Sequence, residues 1–303
     1  MAQQNARSTS PEEARAIRHW LIPFLEIQRG ADRRIEAVLE AAAKDADAAI
    51  RALEGKSGVG TSVRRSQLLG SKGIIRRVLM ELFGLVQKEI SSSQRDAAQA
   101  AMNAAVDWDI DILRAIEPNV RKRRILEAAL KAGGERNIQS MITRVLFTEM
   151  PLSSRVYRSR AGTMDQVSRI VNSALARGDG AKDIAKLVFK FIDPSTKGGA
   201  SYAALRLGRT EINNAFHAQA IAHSASKPWV VGMEWHLSKS HEPDNCKCEV
   251  YARTRNYPIG GVPKKPHPQC FCFVTPRVDD LDIVIAKAKA GEYHGWVEEN
   301  TRK

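Results

Sequence analysis

Apolar residues recur every three or four positions through most of the first 150 residues, which is the spacing of one buried face of an α-helix. Such stripes cover residues 35–53, 68–86 and 94–116. A glycine cluster ends the first stripe, a run of serines at 91–93 is expected to end the second, and a proline follows the third. Because β-branched runs and hairpin turns are few, the pattern predicts an all-helical region over residues 1–150.

The same helical spacing continues over residues 151–226, and the period changes after Pro228. Apolar and polar residues then alternate over 229–237, as in a strand with one buried face, and residues 271–274 fit a second short strand. The segment between these strands is rich in proline, so few backbone ladder bonds are expected to hold it. The chain is therefore predicted to be mainly α, with a helical N-terminal half and a small α+β C-terminal domain. That domain combines a short sheet with a Pro-rich loop stabilised by cysteine and histidine.

The composition is that of an ordinary globular protein, since 43% of the 303 residues are hydrophobic. Lysine and arginine give the chain a formal net charge of +13, which suits a polyanionic neighbour such as nucleic acid. The densest basic run is Arg121-Lys122-Arg123-Arg124. It is either a weak nucleic-acid-binding patch or the solvated start of a helix.

No membrane segment or secretion signal is indicated by the sequence. No apolar run approaches the ~18–20 residues that a membrane span needs. The N-terminus lacks the apolar stretch of a signal peptide. We therefore expect a protein of the cytosol, or of a structure that is assembled there.

All four cysteines fall within residues 246–272, in two pairs spaced C-x-C. On a strand, residues two apart point to one face, so both members of the second pair are expected to project together. Two such pairs supply the four soft ligands that a tetrahedral zinc ion prefers, and either of two nearby histidines could replace one of them. The predicted ligands of a structural zinc ion are Cys246, Cys248, Cys270 and Cys272, with His241 and His267 as alternates.

Two other interpretations of the cysteines stay open at this point. A protein that is not secreted keeps its thiols reduced, so the four residues could be buried structural thiols without a metal. Their even number also permits two disulfides. A catalytic zinc ion is not indicated, because the sequence has no H-E-x-x-H motif and no evident general base beside an open coordination position.

The run Arg209-Thr-Glu211-Ile-Asn213 resembles the R-T-E-x-N helix of the MuF-like phage head-morphogenesis proteins, a family of minor capsid proteins. The resemblance continues in the same order with Asp244-x-Cys246 and with Pro-His267-Pro-x-Cys270-x-Cys272. Upstream, residues 152–157 and 193–202 are also similar to the version found in tailed phages. The similarity covers roughly residues 150–276, and its combination of motifs is more specific than any one of them.

The resemblance implies a structural protein inside the phage head, associated with the portal, that aids head assembly or the packaging or ejection of DNA. Its expected partners are the portal protein, other head proteins and packaged DNA without sequence preference. Its expected location is the virion, after assembly in the host cytoplasm. No enzymatic activity is expected, because the stretch after Pro276 is too short for the toxin or transferase domain that ends some family members. The alternative is a zinc-stabilised nucleic-acid-binding protein or nuclease.

Within this resemblance, Arg209, Glu211 and Asn213 are interpreted as structural residues. Arg209 and Glu211 lie two positions apart on a helix and cannot pair with each other. We expect each to contact a separate partner, such as the backbone of the loop around His267. The predicted domains are 1–150, an all-helical N-terminal region; 151–276, a MuF-like domain with helices over 151–226 and strands and the Cys/His loop over 228–276; and 277–303, a C-terminal helix and tail.

Overall fold

The computed structural model describes residue 15 and residues 17–51, 61–143, 152–177, 181–192, 199–238 and 246–301. The described α-helices are α1 (Ile22–Arg51), α2 (Thr61–Ile116), α3 (Val120–Thr143), α4 (Leu152–Ala176), α5 (Ala181–Ile192), α6 (Ala200–Ala225), α7 (Lys247–Thr254), α8 (Leu281–Lys289) and α9 (His294–Thr301). A π-helical turn (Ile17–Leu21) precedes α1, and a 3₁₀ turn spans Ile259–Gly261. The described strands are β1 (Val230–His236), β2 (Asn256–Tyr257) and β3 (Phe273–Val278). The predicted fold class, mainly α with a small α+β C-terminal domain, is confirmed.

Helix α2 runs without a break through the serines at 91–93, where the sequence pattern predicted that one helix ends and another begins. Serine costs a helix only about 0.5 kcal/mol relative to alanine, which the packing of an apolar face readily offsets. Ser93 is fully buried, and its hydroxyl accepts a hydrogen bond of 3.0 Å from Arg34 in α1. The serine run is therefore a packing position inside one helix and not a helix boundary.

The chain divides into two compact units. The first, here called the sheet unit, consists of Met1–Gln28, Gln94–Phe147 and Ile212–Lys303. The second, here called the helical unit, consists of Arg29–Ser93 and Thr148–Glu211. Both units draw on the N-terminal and the C-terminal half of the sequence, so they are groupings in space. The domains predicted along the sequence stay a prediction.

The helical unit has a core of its own, to which five helices contribute aliphatic side chains. Its buried members include Ile35 and Leu39 of α1, Leu79, Leu82, Val86 and Ile90 of α2, Val167 and Ala174 of α4, Val188 and Ile192 of α5, and Ala204 and Leu205 of α6. The three- and four-residue spacing in the sequence predicted most of these positions. None of the helices in the described part of the chain is long and apolar enough to cross a membrane.

The sheet unit contains a three-stranded antiparallel sheet in the order β2-β1-β3. Met233 and Trp235 of β1 are buried, as the alternating pattern predicts, but Val231 is 37% exposed. The register of β1 on β3 shifts between Val230 and Gly232. Such a bulge displaces the alternation by one residue, so that Val230 is buried in place of Val231.

The Pro-rich segment contains two elements that the sequence pattern did not predict, α7 and β2. Strand β2 pairs with β1 at Met233 and Tyr257, so ladder bonds do hold part of this segment. A Cβ on Gly232 would lie 2.6 Å from the Tyr257 carbonyl oxygen, so only glycine permits this close pairing. Strand β3 begins at Phe273, two residues later than predicted.

A buried polar cluster fixes the turn from α6 into β1. The Asp109 carboxylate accepts hydrogen bonds from the Lys227 ammonium and, at 2.9 Å, from the Trp229 indole, and His223 Nε2 lies 3.6 Å away. Burial has the largest effect on the pKa of the Asp109 carboxyl and raises it. The Lys227 charge and the hydrogen bonds from His223, Lys227 and Trp229 together outweigh burial, so the net pKa is lowered. The buried acid and base therefore stay paired, and the pair positions the start of the central strand.

Candidate metal centre

Three of the four cysteines come together where α7 faces the extended segment before β3. The Cys248 Sγ atom lies 3.4 Å from the Cys270 Sγ atom. The sulfurs of Cys248, Cys270 and Cys272 all lie within 4.8 Å of one another, and the three side chains are buried. Sulfurs bound to one tetrahedral zinc ion are about 3.8 Å apart, given bonds of about 2.3 Å. The group could therefore hold a metal ion.

His267 adds an imidazole to this cluster. Its Nε2 atom lies 3.4 Å from the Cys248 sulfur, and its Nδ1 atom lies 2.8 Å from the Pro268 carbonyl oxygen. Because a carbonyl can only accept, Nδ1 carries a proton, and in the neutral imidazole Nε2 then presents its lone pair to the Cys248 sulfur. Histidines that bind metals usually donate their other N–H group to such an acceptor. His267 therefore has the tautomer of a metal ligand.

The turn between His267 and Cys270 gives the H-P-x-C segment its shape. Gln269 adopts a left-handed backbone conformation, with φ of 58°. Cys270 and Cys272 then follow in the residues before β3, and not on the strand as the sequence pattern predicted. Both sulfurs nevertheless belong to one group, because extended backbone also sends alternate side chains to one side.

Cys246 is the N-cap residue of α7 and is only half-buried. Its sulfur accepts the backbone N–H of Cys248 at 3.4 Å. Cys246, Cys248 and His267 form a second group with ligand atoms within 4.8 Å, so Cys248 belongs to both groups. The alternate ligand His241 lies outside the described residues, as does Asp244.

The thiols of the cluster oppose one another's ionisation. The hydrogen bond between Cys248 and Cys270 raises the pKa of the Cys248 thiol and lowers the pKa of Cys270. Once Cys270 is a thiolate, its charge and the burial of the site both oppose the ionisation of Cys248. A divalent ion resolves this conflict, since metal coordination deprotonates a thiol outright.

Helix α6 holds the backbone of the cysteine segment through two side chains one turn apart. Asn213 donates a hydrogen bond to the Cys270 carbonyl, and His217 Nε2 donates to the Pro263 carbonyl at 3.0 Å. Burial lowers the pKa of His217 to about 3, so the imidazole is neutral at pH 7 and a carbonyl partner suits it. Ser238 completes the support, because its backbone N–H donates to the Cys272 sulfur at 3.4 Å.

Arg209 and Glu211 contact separate partners within the helical unit. Arg209 Nε lies 3.1 Å from both carboxylate oxygens of Asp32 in α1. Glu211 is 1% exposed and lies 2.6 Å from the Arg155 guanidinium of α4. Burial raises the pKa of Glu211 to about 7, against the opposing effect of Arg155. These partners are side chains of α1 and α4, and the expected contact with loop backbone such as that around His267 stays a prediction.

The basic run forms the first turn of α3. The Asn119 side chain accepts the backbone N–H of Lys122 at 3.1 Å and so caps this helix. Arg121, Lys122 and Arg124 are exposed, whereas Arg123 is half-buried and donates to the Glu117 carbonyl at 3.4 Å.

Two residues at the centre had no role in the sequence interpretation. His217 belongs to none of the sequence motifs, although its spacing of four from Asn213 places both on one helix face. Lys265 lies in the Pro-rich loop, and only the fold brings its ammonium group to the Cys272 carbonyl.

Comparisons with protein-family models, with curated proteins and with solved structures gave no match.

Proposed function

We propose that this chain is a structural protein of a phage head, one of the MuF-like minor capsid proteins, whose C-terminal region is stabilised by a zinc ion. The observation that carries the proposal is the buried group of cysteine sulfurs. Its residues belong to the H-P-x-C-x-C motif and to the preceding C-x-C pair, and Asn213 of the R-T-E-x-N motif holds the Cys270 carbonyl.

The proposed zinc ligands are Cys248, Cys270, Cys272 and His267. Three buried thiolates and one imidazole are a usual ligand set for structural zinc. Cys246 competes with His267 for the fourth position. His267 is favoured because its Nε2 lone pair already faces the cluster, whereas the Cys246 sulfur accepts the N–H that begins α7.

A structural role fits this ligand set better than catalysis does. Four protein ligands fill a tetrahedral zinc ion and leave no position for a reacting water molecule. The described residues around the cluster contribute backbone carbonyls and amides, the Lys265 ammonium group and a neutral His217, and none of these is a strong general base. We therefore propose that the chain is not an enzyme.

Packaged DNA is the proposed non-specific partner, with the portal and other head proteins as the protein partners inside the virion. Support for the DNA partner comes from the net charge of +13 and from the first turn of α3. Cations at a helix N-terminus oppose the helix dipole, and this turn contains no acidic residue. The positive charges in this turn therefore do not stabilise the helix, whereas they could bind the phosphates of DNA. The exposed residues concerned are Arg121, Lys122 and Arg124.

Metal analysis of the full chain tests the zinc site. Protein purified under reducing conditions should contain one zinc ion per chain. The Cys248→Ser, Cys270→Ser and His267→Ala variants should lose it, whereas the Cys246→Ser variant should keep it. Wild-type protein without zinc, with four freely titratable thiols in the folded state, would contradict the proposed centre.

Fractionation of phage particles tests the proposed location. An antibody against the chain should detect it in DNase-treated heads from the phage or prophage that encodes it, and the chain should co-purify with the portal protein. Absence from particles, together with cleavage of DNA by the purified chain, would favour the nuclease alternative.

Salt titration of DNA binding tests the basic turn. Replacing Arg121, Lys122 and Arg124 with glutamine should weaken binding to duplex DNA and reduce the log–log salt slope by up to about 3. A control that removes equal charge from exposed Arg76, Arg77 and Lys88 should change binding less. Equal effects of the two triple variants would assign the binding to net charge and not to α3.

A further inference from the structure

The Lys265 side chain reaches the cysteine cluster from the Pro-rich loop. Its ammonium group donates to the Cys272 carbonyl and lies 3.5 Å from the Cys270 carbonyl oxygen. The same nitrogen lies 5.9 Å from the centre of the buried Trp235 ring. The cation is therefore held against the backbone of two proposed ligands and beside an aromatic face.

No carboxylate in the part of the chain that the structure describes forms an ion pair with Lys265. The Lys265 side chain is half-buried, and moving an ammonium group out of water is costly unless an opposite charge compensates it. Among the described residues, the groups that favour its positive charge are the thiols of Cys248, Cys270 and Cys272.

The charge of the loaded centre supplies this compensation. A divalent ion with three thiolates and one neutral imidazole carries a net charge of −1. One half-buried cation beside it makes the group neutral, and opposite charges that are removed from water offset each other's desolvation. The surroundings of a metal site commonly tune its affinity in this way.

We propose that Lys265 is the counter-cation of the metal centre and that it sets the affinity of the three-thiolate, one-imidazole ligand set for a divalent ion. The inference rests on the proposed zinc site. It also distinguishes Lys265 from the adjacent Lys264, whose side chain is exposed. Lys265 acts as a positioning residue, because its ammonium group bonds to ligand backbone and not to the metal.

Competition with a chromophoric zinc chelator tests this role in the full chain. Lys265→Met should weaken zinc binding by about tenfold or more, as changes around metal ligands do. Lys265→Arg should restore most of the affinity, and the matched control Lys264→Met should stay within about twofold of wild type. Cobalt(II) spectra of Lys265→Met should keep the thiolate charge-transfer bands, showing that the ligands remain in place.

A second ligand background separates charge from packing. His267→Cys would make the loaded centre more negative by one charge, so Lys265→Met should cost a larger factor in zinc affinity there than in wild type. If Lys265→Met lowers zinc affinity by the same factor in both backgrounds, or leaves it unchanged, Lys265 is not the counter-cation. The proposed zinc site would not be affected by either result. Wild-type protein that binds no zinc would overturn the site and the inference together.

Discussion

Asn213 is the side chain that joins α6 to the backbone of the cysteine segment. Its amide donates to the Cys270 carbonyl in a buried position. Asn213→Ala leaves that carbonyl without this donor, and we expect the free energy of unfolding to fall by about 1–3 kcal/mol. Urea unfolding followed by tryptophan fluorescence measures the change. Asn214→Ala, at a less buried position of the same helix, is the matched control, and an equal loss in both variants would contradict the role of Asn213.

Glu211 should make the stability of the chain depend on pH. Its pKa is about 7 in the folded chain and 4.5 ordinarily, so the folded state binds this proton more tightly than the unfolded state. The stability from this group is complete below pH 4.5 and is lost as the pH rises to about 7, by up to about 3 kcal/mol. Chemical unfolding of wild type and Glu211→Gln at several pH values measures it. A difference between them that stays constant from acid to neutral pH would show that Glu211 titrates normally.

The sequence predicted part of the candidate centre at the level of single residues. C-x-C spacing was enough to place the Cys270 and Cys272 sulfurs together, because alternation needs only extended backbone and not a complete strand. The sequence could not show whether Cys246 or His267 is the fourth ligand. The choice depends on the turn at Gln269 and on the N-terminus of α7, and both arise from the folded loop.

At the scale of elements, the serine run inside α2 gives a direct test of helix continuity. Ser92 is exposed in the middle of this helix. Ser92→Pro should lower the free energy of unfolding by about 3 kcal/mol or more, because proline removes a helical hydrogen bond and collides with the preceding turn. Ser92→Ala should change it by no more than about 0.5 kcal/mol. Thermal unfolding followed by circular dichroism compares the two. If proline is tolerated like alanine, the helix ends at the serines as the sequence pattern predicted.

The long helices were predictable as elements, whereas the short elements of the loop were not. Periodicity over many residues identifies α1 and α2, because a buried stripe needs several turns. Helix α7 has only eight residues and a cysteine N-cap, and β2 has only two residues. Such elements depend on tertiary contacts, here the pairing of β2 with the central strand β1.

At the scale of the whole molecule, the two units do not follow the order of the sequence. The predicted domains are consecutive stretches of the sequence with boundaries near residues 150 and 276, but contacts group α4 and α5 with parts of α1, α2 and α6 in the helical unit. Periodicity shows which face of a helix is buried. It does not show which other helix covers that face, and this pairing defines the units.

This division leads to a prediction about metal removal. The proposed zinc ligands all lie in the sheet unit, whereas the helical unit has an aliphatic core of its own. A structural metal ion contributes its binding free energy to folding, so a chelator should loosen the segment that the ion holds. Amide hydrogen exchange should accelerate by at least about tenfold over residues 246–276 and stay unchanged in α4 and α5.

The same measurement has an internal control and a decisive outcome. Cys246→Ser should respond to the chelator as wild type does, because Cys246 is not among the proposed ligands. Cys270→Ser should exchange rapidly over residues 246–276 even before the chelator is added.

If the chelator leaves exchange over 246–276 unchanged, hydrogen bonds such as those from Asn213 and His217 hold the loop without a metal, and the cysteines are buried structural thiols. If exchange accelerates equally in both units, the ion stabilises the whole molecule. The prediction that the core of the helical unit is stable without the metal would then be wrong.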